Sequence, residues 1–250
     1  AAGGTAGLLA TLIDGGFVDG DAPTVWGTTM ANTVAEVLPT AEVFSTRKPG
    51  DSRNTEVLRP HTDAFQPDGG IRLMKGNLGR GVCKVSAVKK EHRFVEAPCR
   101  VFTDQHQVID AFNKGEFTEP VVVVLAHQGP RANGMPELHK LTPILGIVQD
   151  QGLPVALVTD GRMSGASGKV LSAIHVCPEA KADGPIARLR DGDVVRVDAN
   201  KGELYTTADL STRKPMTEPA QAVSLGRGYF QVWRNTVSSA EEGASNLFPQ

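Results

Sequence analysis

The sequence predicts an α/β protein whose central part forms a barrel-like or layered domain of mixed strands and helices. Short β-branched or apolar runs, bounded by Gly, Pro, Asp or Asn, recur through this part, and helical patterns fall between some of them. Two of these runs, 121–125 and 155–158, are apolar without alternation, as expected for strands buried on both faces. We expect this domain to cover residues 71–215.

The elements of the central domain follow from these runs in order. Strands are predicted at residues 82–88, 100–102, 121–126, 155–159 and 194–197. Helices are predicted at residues 107–113 and at 137–150, the second opened by Pro136. Turn sequences at 191–193 and 200–202 indicate hairpins on either side of the last strand. Residues 216–250 are expected to form a helical tail, with the helix at 220–239.

The first 70 residues have a different pattern. Leu8, Leu9, Leu12 and Ile13 form one apolar stripe, which predicts a helix over 7–14 that ends at Gly15. A second short helix is predicted over 28–37, and the polar stretch 46–70 is predicted to be a connector. The sequence opens without Met directly before a helical pattern, so we expect it to be the interior of a longer protein.

Composition excludes several classes of function. The 250 residues contain 26 Lys and Arg against 28 Asp and Glu, a net charge of −2, so we expect no nucleic-acid partner. No window approaches ~18 uninterrupted apolar residues, and we expect no membrane partner. The three cysteines, Cys83, Cys99 and Cys177, are odd in number and without C-x-x-C spacing, which disfavours a disulfide framework or a self-contained metal cluster. We therefore expect a cytoplasmic protein with structural thiols.

The first candidate loop follows the strand at 121–126. Residues 127–137 contain two glycines and two prolines, and Glu137 is predicted to lie in the first helical turn. Such a glutamate commonly compensates the helix dipole. It could instead be an oxygen ligand for a hard divalent cation. The histidines His127 and His139 lie in or beside this loop, whereas His175 is predicted to be a packing residue.

The second candidate loop, residues 159–169, follows the next buried strand. Its three glycines, two serines and two cations could hold an anion on backbone N–H groups, but a plain Gly-rich turn is equally compatible with them. The loop is not a Walker A motif, because Met163 and Val170 occupy the required Gly and Ser/Thr positions. A third Gly-spaced segment, residues 75–80, is predicted to be a structural turn.

Taken together, three segments resemble the C-terminal part of the dihydroxy-acid and phosphogluconate dehydratase family. They are the stretch from Leu157 through Ser164-Gly165 to His175-Val176-Cys177-Pro178-Glu179-Ala180, the Gly129-Pro130…Gly134-Met135-Pro136-Glu137 segment, and Gly76-Asn77-Leu78. The resemblance covers essentially the whole chain. The sequences of the two long loops are similar to the phosphogluconate branch, because the dihydroxy-acid branch has Glu-Gly-Pro in the first loop and Arg-Gly at the end of the second.

This resemblance implies a hydro-lyase that dehydrates 6-phospho-D-gluconate to 2-dehydro-3-deoxy-6-phosphogluconate in the Entner–Doudoroff pathway. It implies a 4Fe-4S iron–sulfur cluster, whose ligands lie outside this chain, and a divalent cation, Mg or Mn, ligated by Glu137. Ser164 matches the family serine that acts as the base. From charge and loop chemistry we add Arg162, Ser167 and Lys169 as substrate-binding residues.

The resemblance also implies a swivelling β-barrel-like (β/β/α) domain, preceded by remnant helices of a truncated N-terminal domain. Residues 1–70 would then be the end of that N-terminal catalytic domain plus the connector. A homodimer and a phosphorylated sugar acid are the implied partner and substrate, and the fragment alone is expected to be inactive. Two alternatives stay open: a dehydratase of the same family for another sugar acid or dihydroxy acid, and a non-catalytic anion-binding or assembly module.

Overall fold

The computed structural model describes residues 2–34, 36–39, 44–47, 49–67, 69–163, 168–219 and 228–247. The chain divides into two compact units, Ala1–Asp68 and Gly69–Gln250. In the described part, no helix combines the length and the apolar character that crossing a membrane requires.

The first unit contains two helices and one hairpin. Helix α1 covers Gly4–Asp14 and α2 covers Met30–Thr33, and strand β1 (Glu36–Pro39) pairs antiparallel with β2 (Phe44–Arg47). The predicted first helix is therefore confirmed. The predicted helix over 28–37 is wrong beyond Thr33, because Val34 is already extended and strand β1 begins at Glu36. The predicted connector holds the end of β2 and a 3₁₀ turn at His61–Asp63.

The second unit is a closed eight-stranded barrel, which confirms the predicted α/β, barrel-like fold. Its strands in chain order are β3 Ile71–Gly76, β4 Gly79–Lys84, β5 Phe94–Phe102, β6 Val121–Leu125, β7 Val155–Thr159, β8 Leu171–Cys177, β9 Val194–Asp198 and β10 Glu203–Thr206. Around the barrel they run β10-β3-β4-β8-β7-β6-β5-β9, then back to β10. Strands β5, β6, β7 and β8 are parallel neighbours, and the contacts β3–β4, β4–β8, β5–β9 and β9–β10 are antiparallel.

The second unit also contains α-helices. They are α3 Gln105–Asn113, α4 Pro130–Asn133, α5 Leu141–Asp150 and α6 Gly228–Thr236. Val122 and Val124 of β6 belong to the core inside the barrel, while Val123 and Leu125 pack in a second core with α3 and α5. Strand β6 is thus buried on both faces, which is why its sequence does not alternate.

Three strands of the barrel, β3, β8 and β10, lie outside the predicted strand list. In β3 only Met74 is buried while Ile71 and Leu73 are exposed, so the apolar residues of this run do not mark its buried face. The segment 75–80 is the tight β3–β4 hairpin, with Gly76 paired to Gly79, which confirms the predicted structural turn. Asn77 then links this turn to β10: its amide nitrogen donates to the Thr206 carbonyl at 2.7 Å, and its oxygen accepts from the Thr206 N–H at 2.9 Å.

In the second unit, two further helical predictions need correction. The helix predicted over 137–150 begins only at Leu141. Glu137 is instead in an isolated parallel bridge with Arg162, so it does not lie in a helical turn and does not compensate a helix dipole. The predicted tail helix over 220–239 is observed as α6, Gly228–Thr236, while residues 220–227 lie outside the described part of the chain.

Candidate active site at the ends of strands β6 and β7

The two candidate loops start side by side. Strands β6 and β7 are parallel and in register up to the pair Leu125 and Thr159, and each loop follows at the carboxyl end of its strand. This edge of a parallel sheet is where ligands commonly bind in α/β proteins, because the loops there converge and their backbone groups are accessible. The barrel therefore brings together two segments that are more than 20 residues apart in the sequence.

Glu137 and Arg162 join the two loops. The guanidinium Nη1 of Arg162 lies 2.9 Å from Oε2 of Glu137, and its Nε donates to the carbonyl of Met135 at 2.7 Å. The backbone N–H of Leu138 donates to the Arg162 carbonyl at 3.2 Å, which completes the bridge between the segments. The side chain of Glu137 is 28% exposed, so the carboxylate is fixed in place yet reachable by solvent or a cation.

Asp160 is a buried carboxylate that holds the base of both loops. It is fully buried, and its two oxygens accept the N–H of Gln128 at 2.8 Å and the N–H of Ala180 at 2.9 Å. Burial raises the pKa of Asp160 to about 6, although the two backbone hydrogen bonds act in the opposite direction. The carboxylate thus connects the end of β7 to the first loop and to the segment that follows β8.

Glu179 fixes the first loop from the other side. Its carboxylate accepts the N–H groups of Arg131 (3.0 and 3.1 Å) and Ala132 (3.2 Å) at the start of α4. A side chain at Gly129 would meet this carboxylate, with an added Cβ only 2.4 Å from Oε2. Burial raises the pKa of Glu179, with the hydrogen bonds from α4 as the main opposing influence. Glycine at 129 is therefore required by close packing.

Asp160 and Glu179 were not among the predicted site residues. Asp160 directly follows a predicted buried strand and precedes Gly161. A carboxylate at the carboxyl end of such a strand indicates a site residue, so the sequence did carry a signal for Asp160. Glu179 lies 19 residues further along the chain, and its position beside α4 depends on the path of β8, which the sequence did not reveal.

The remaining predicted site residues have different surroundings. Ser164 and Ser167 lie outside the described residues. Lys169 Nζ lies 2.5 Å from Asp150 Oδ2 at the end of α5, and its side chain passes Gly146. Among the predicted residues, the structure thus brings Glu137 and Arg162 together and gives Lys169 a carboxylate partner on α5.

Histidines flank the two loops in strained backbone conformations. His127, at the end of β6, has a φ of 61° and is buried, and neither ring nitrogen has a hydrogen-bond partner. Burial lowers its pKa, the charge of Glu218 opposes this effect, and the charge of Lys181 adds to it. His175 has a φ of 55°, its N–H donates to Gly161, and burial followed by the charge of Arg162 lowers its pKa. Both rings are therefore neutral near pH 7.

The described residues do not form a metal centre by themselves. Within them, no group of three or more His, Cys, Asp or Glu side chains has the arrangement needed to hold a metal ion. Cys83, Cys99 and Cys177 are buried free thiols on different strands. Burial raises the pKa of each of them, that of Cys99 to about 12, whereas a cluster ligand must be a thiolate. These cysteines do not fit an iron–sulfur cluster, and Glu137 fits as a single oxygen ligand for a divalent cation.

Comparisons with known proteins agree with the sequence resemblance. The family model "Dihydroxy-acid/6-phosphogluconate dehydratase C-terminal" matches residues 56–244. The chain is 53% identical to a phosphogluconate dehydratase of Pseudomonas aeruginosa and 45% identical to one of Zymomonas mobilis, in each case over 99% of this chain and 41% of the relative. It is 36% identical to a dihydroxy-acid dehydratase of Metallosphaera sedula over 97% of this chain and 42% of the relative. The chain thus spans about two fifths of the length of the curated relatives it matches.

Proposed function

The chain belongs to the dihydroxy-acid and 6-phosphogluconate dehydratase family, and we propose that it is the C-terminal part of a phosphogluconate dehydratase. The whole enzyme would remove water from 6-phospho-D-gluconate and release 2-dehydro-3-deoxy-6-phosphogluconate, a step of the Entner–Doudoroff pathway. The observation that carries this proposal is the higher identity to relatives named phosphogluconate dehydratase, 53% and 45%, than to the relative named dihydroxy-acid dehydratase, 36%.

The position of Glu137 supports its proposed role as a cation ligand. Its carboxylate is held at the mouth of the two loops and remains partly exposed, which suits an oxygen ligand for Mg or Mn. A divalent cation bound there would supply positive charge for the substrate carboxylate and for the negative charge that develops next to it. Arg162 lies on the same carboxylate and is proposed to pair with the substrate carboxylate once the cation takes Glu137.

Ser164 is the proposed base, and Ser167 and Lys169 are proposed substrate contacts. Ser164 follows Arg162 by two residues, so it belongs to the loop that reaches Glu137. A free serine hydroxyl is too weak to remove the C2 proton of a sugar acid, and it needs adjacent positive charge to become an alkoxide. Lys169 would contact the substrate only after its ion pair with Asp150 breaks. Both side chains of that pair are largely exposed, so breaking it costs little free energy.

The proposed iron–sulfur cluster is not assigned to residues of this chain. The buried, protonated cysteines described above do not fit it, so we propose that its ligands belong to the part of the longer protein outside these 250 residues. On the same basis we propose that the isolated chain is inactive. From the family resemblance we further propose that the protein forms a homodimer. We also propose that it works in the cytoplasm.

The test is a comparison of substrates with the full-length protein, reconstituted anaerobically with iron and sulfide. We expect dehydration of 6-phosphogluconate and no comparable turnover of 2,3-dihydroxy-3-methylbutanoate. The reverse preference would assign the protein to the dihydroxy-acid branch of the family. Equal turnover of an unphosphorylated sugar acid would favour a dehydratase for another sugar acid, and loss of all turnover with anion binding retained would favour a non-catalytic module.

A further inference from the structure

A cavity of about 520 Å³ lies between α4 and α6 of the second unit. Its lining is mainly apolar and includes a few polar groups; the residues that matter here are Asn133, Met135, Phe230, Trp233, Arg234 and Asn246. The volume is in the range of small-molecule sites, which are typically apolar with a small number of placed polar groups. The composition of this cavity therefore fits a ligand with at least one charged group.

Arg234 is the charged group in this lining. Its side chain is half-buried, and in the described part of the chain no carboxylate forms an ion pair or hydrogen bond with it. The neighbouring arginines are occupied, since Arg131 Nε donates to the Val237 carbonyl at 3.2 Å and Arg162 binds Glu137. A guanidinium at the lining of a largely apolar cavity can form charge-assisted hydrogen bonds to a carboxylate or a phosphate, so Arg234 suits an anionic ligand.

Asn246 provides a second polar group without a partner. Its side-chain oxygen is buried and accepts no hydrogen bond. Asn133, another residue of the lining, already uses its amide nitrogen to donate to Gln128 at 3.0 Å. Buried acceptors in native proteins are almost always satisfied, and a hydroxyl of a bound ligand would satisfy this one.

Met135 connects the cavity to the candidate active site. Met135 lines the cavity, and its backbone carbonyl accepts the hydrogen bond from Arg162 Nε. Glu137 is only two residues further along, and its Cα is at most about 8 Å from that of Met135. Met135 is therefore shared between the cavity lining and the residues that hold Arg162.

We propose that the cavity holds the phosphate-bearing end of the substrate, with Arg234 pairing with the phosphate and Asn246 accepting a hydrogen bond from a sugar hydroxyl. The inference deepens the proposed function and rests on it, because the substrate there is a phosphorylated sugar acid. Arg234 then makes the enzyme prefer the phosphorylated acid over the same acid without phosphate.

The test uses Arg234→Gln in the reconstituted full-length enzyme, with 6-phosphogluconate and unphosphorylated gluconate as substrates. We expect KM for 6-phosphogluconate to rise about 10- to 100-fold, as for the loss of a charge-assisted hydrogen bond, with kcat changed by less than about 3-fold. The kinetics with gluconate should stay as in the wild type. Arg100→Gln is the matched control, because Arg100 pairs with Glu116 on the surface near α3.

A second variant, Asn246→Asp, tests the same cavity without removing the arginine. A carboxylate there would repel the phosphate, so KM for 6-phosphogluconate should rise while that for gluconate changes less. Equal effects of either variant on both substrates would overturn the inference, since they would indicate a structural role. Unchanged kinetics with both substrates would overturn it as well.

Binding of inorganic phosphate, measured by calorimetry, separates this inference from the proposed function. We expect the full-length wild type to bind phosphate at least about 10-fold more tightly than Arg234→Gln. If this difference is found but 6-phosphogluconate is not dehydrated, the proposed function fails and the anion site stands. If 6-phosphogluconate is dehydrated but both proteins bind phosphate equally, the anion site is wrong, and a second copy or another segment of the longer protein would be the occupant of the cavity.

Discussion

The carboxylate of Glu137 and the guanidinium of Arg162, 25 residues apart in the chain, meet at 2.9 Å across the two loops that follow β6 and β7. A backbone bridge between the same two residues fixes this contact, so the ion pair does not depend on two mobile side chains alone. The pair is solvent-accessible, and such pairs contribute little to stability. Because the pair lies at the carboxyl ends of parallel strands, where ligands commonly bind, we infer that its role is in binding rather than in stability.

Removal of the Glu137 charge should weaken cation binding. Glu137→Gln keeps the size of the side chain and its hydrogen bond to Arg162, but the amide is a poor ligand for Mn²⁺ or Mg²⁺. We expect the Kd of the full-length protein for Mn²⁺, followed by electron paramagnetic resonance, to rise at least about 10-fold. Glu116→Gln, which changes a glutamate paired with Arg100 outside the two loops, is the control. Equal Mn²⁺ affinity of wild type and Glu137→Gln would exclude Glu137 as a ligand.

Asp160 should make stability depend on pH. Its pKa in the folded protein, about 6, is above the ordinary value of 3.8, so the folded protein keeps a proton that the unfolded chain has lost. The resulting contribution to the free energy of unfolding is present below pH 4 and is lost as pH rises from about 4 to about 6. It amounts to roughly 2–3 kcal/mol.

Urea unfolding of the wild type and Asp160→Asn between pH 4 and pH 7 measures this contribution. The wild type should lose roughly 2–3 kcal/mol of stability relative to the variant across that range, because the variant cannot ionise there. Asp150→Asn, which changes an exposed carboxylate, serves as the comparison. Parallel pH profiles for the wild type and Asp160→Asn would contradict the raised pKa.

Gly129→Ala should displace Glu179 from the start of α4. The new Cβ would lie 2.4 Å from a carboxylate oxygen, so the carboxylate has to move and the N–H groups of Arg131 and Ala132 lose their acceptor. We expect the free energy of unfolding to fall by about 1–3 kcal/mol, the usual cost of overpacking. Gly69→Ala, where nothing lies within 4 Å of the added atom, should change it by less than about 0.5 kcal/mol. Similar changes in the free energy of unfolding for the two substitutions would show that the Glu179 side chain can move without loss of stability.

Much of the barrel could be predicted from sequence because its central strands are buried on both faces. The uninterrupted valines of β6 and the run in β7 are a signal that only double burial explains, and both strands are found at the predicted residues. Strand β3 gave no such signal, since its side chains are mostly exposed and its pairing with β4 is set by the tight turn at Asn77-Leu78.

The candidate site was predictable only in part. Glu137 and Arg162 were both singled out, but their contact depends on the parallel pairing of β6 with β7, which a single sequence does not specify. Pro136 suggested a helix start, whereas the bridge to Arg162 keeps Glu137 extended and delays α5 to Leu141. A long-range backbone contact of this kind overrides the local signal of proline.

The most direct test of the account is the effect of Ser164→Ala on 6-phosphogluconate dehydration by the full-length protein, reconstituted with iron, sulfide and a divalent cation. We predict that the wild type turns over and that the variant loses at least about 100-fold in kcat, the lower range for removal of a catalytic base. Cluster absorbance and Mn²⁺ affinity should be unchanged. If Ser164→Ala keeps kcat within a few-fold of the wild type, the loop at 159–169 only holds an anion, and the base lies elsewhere.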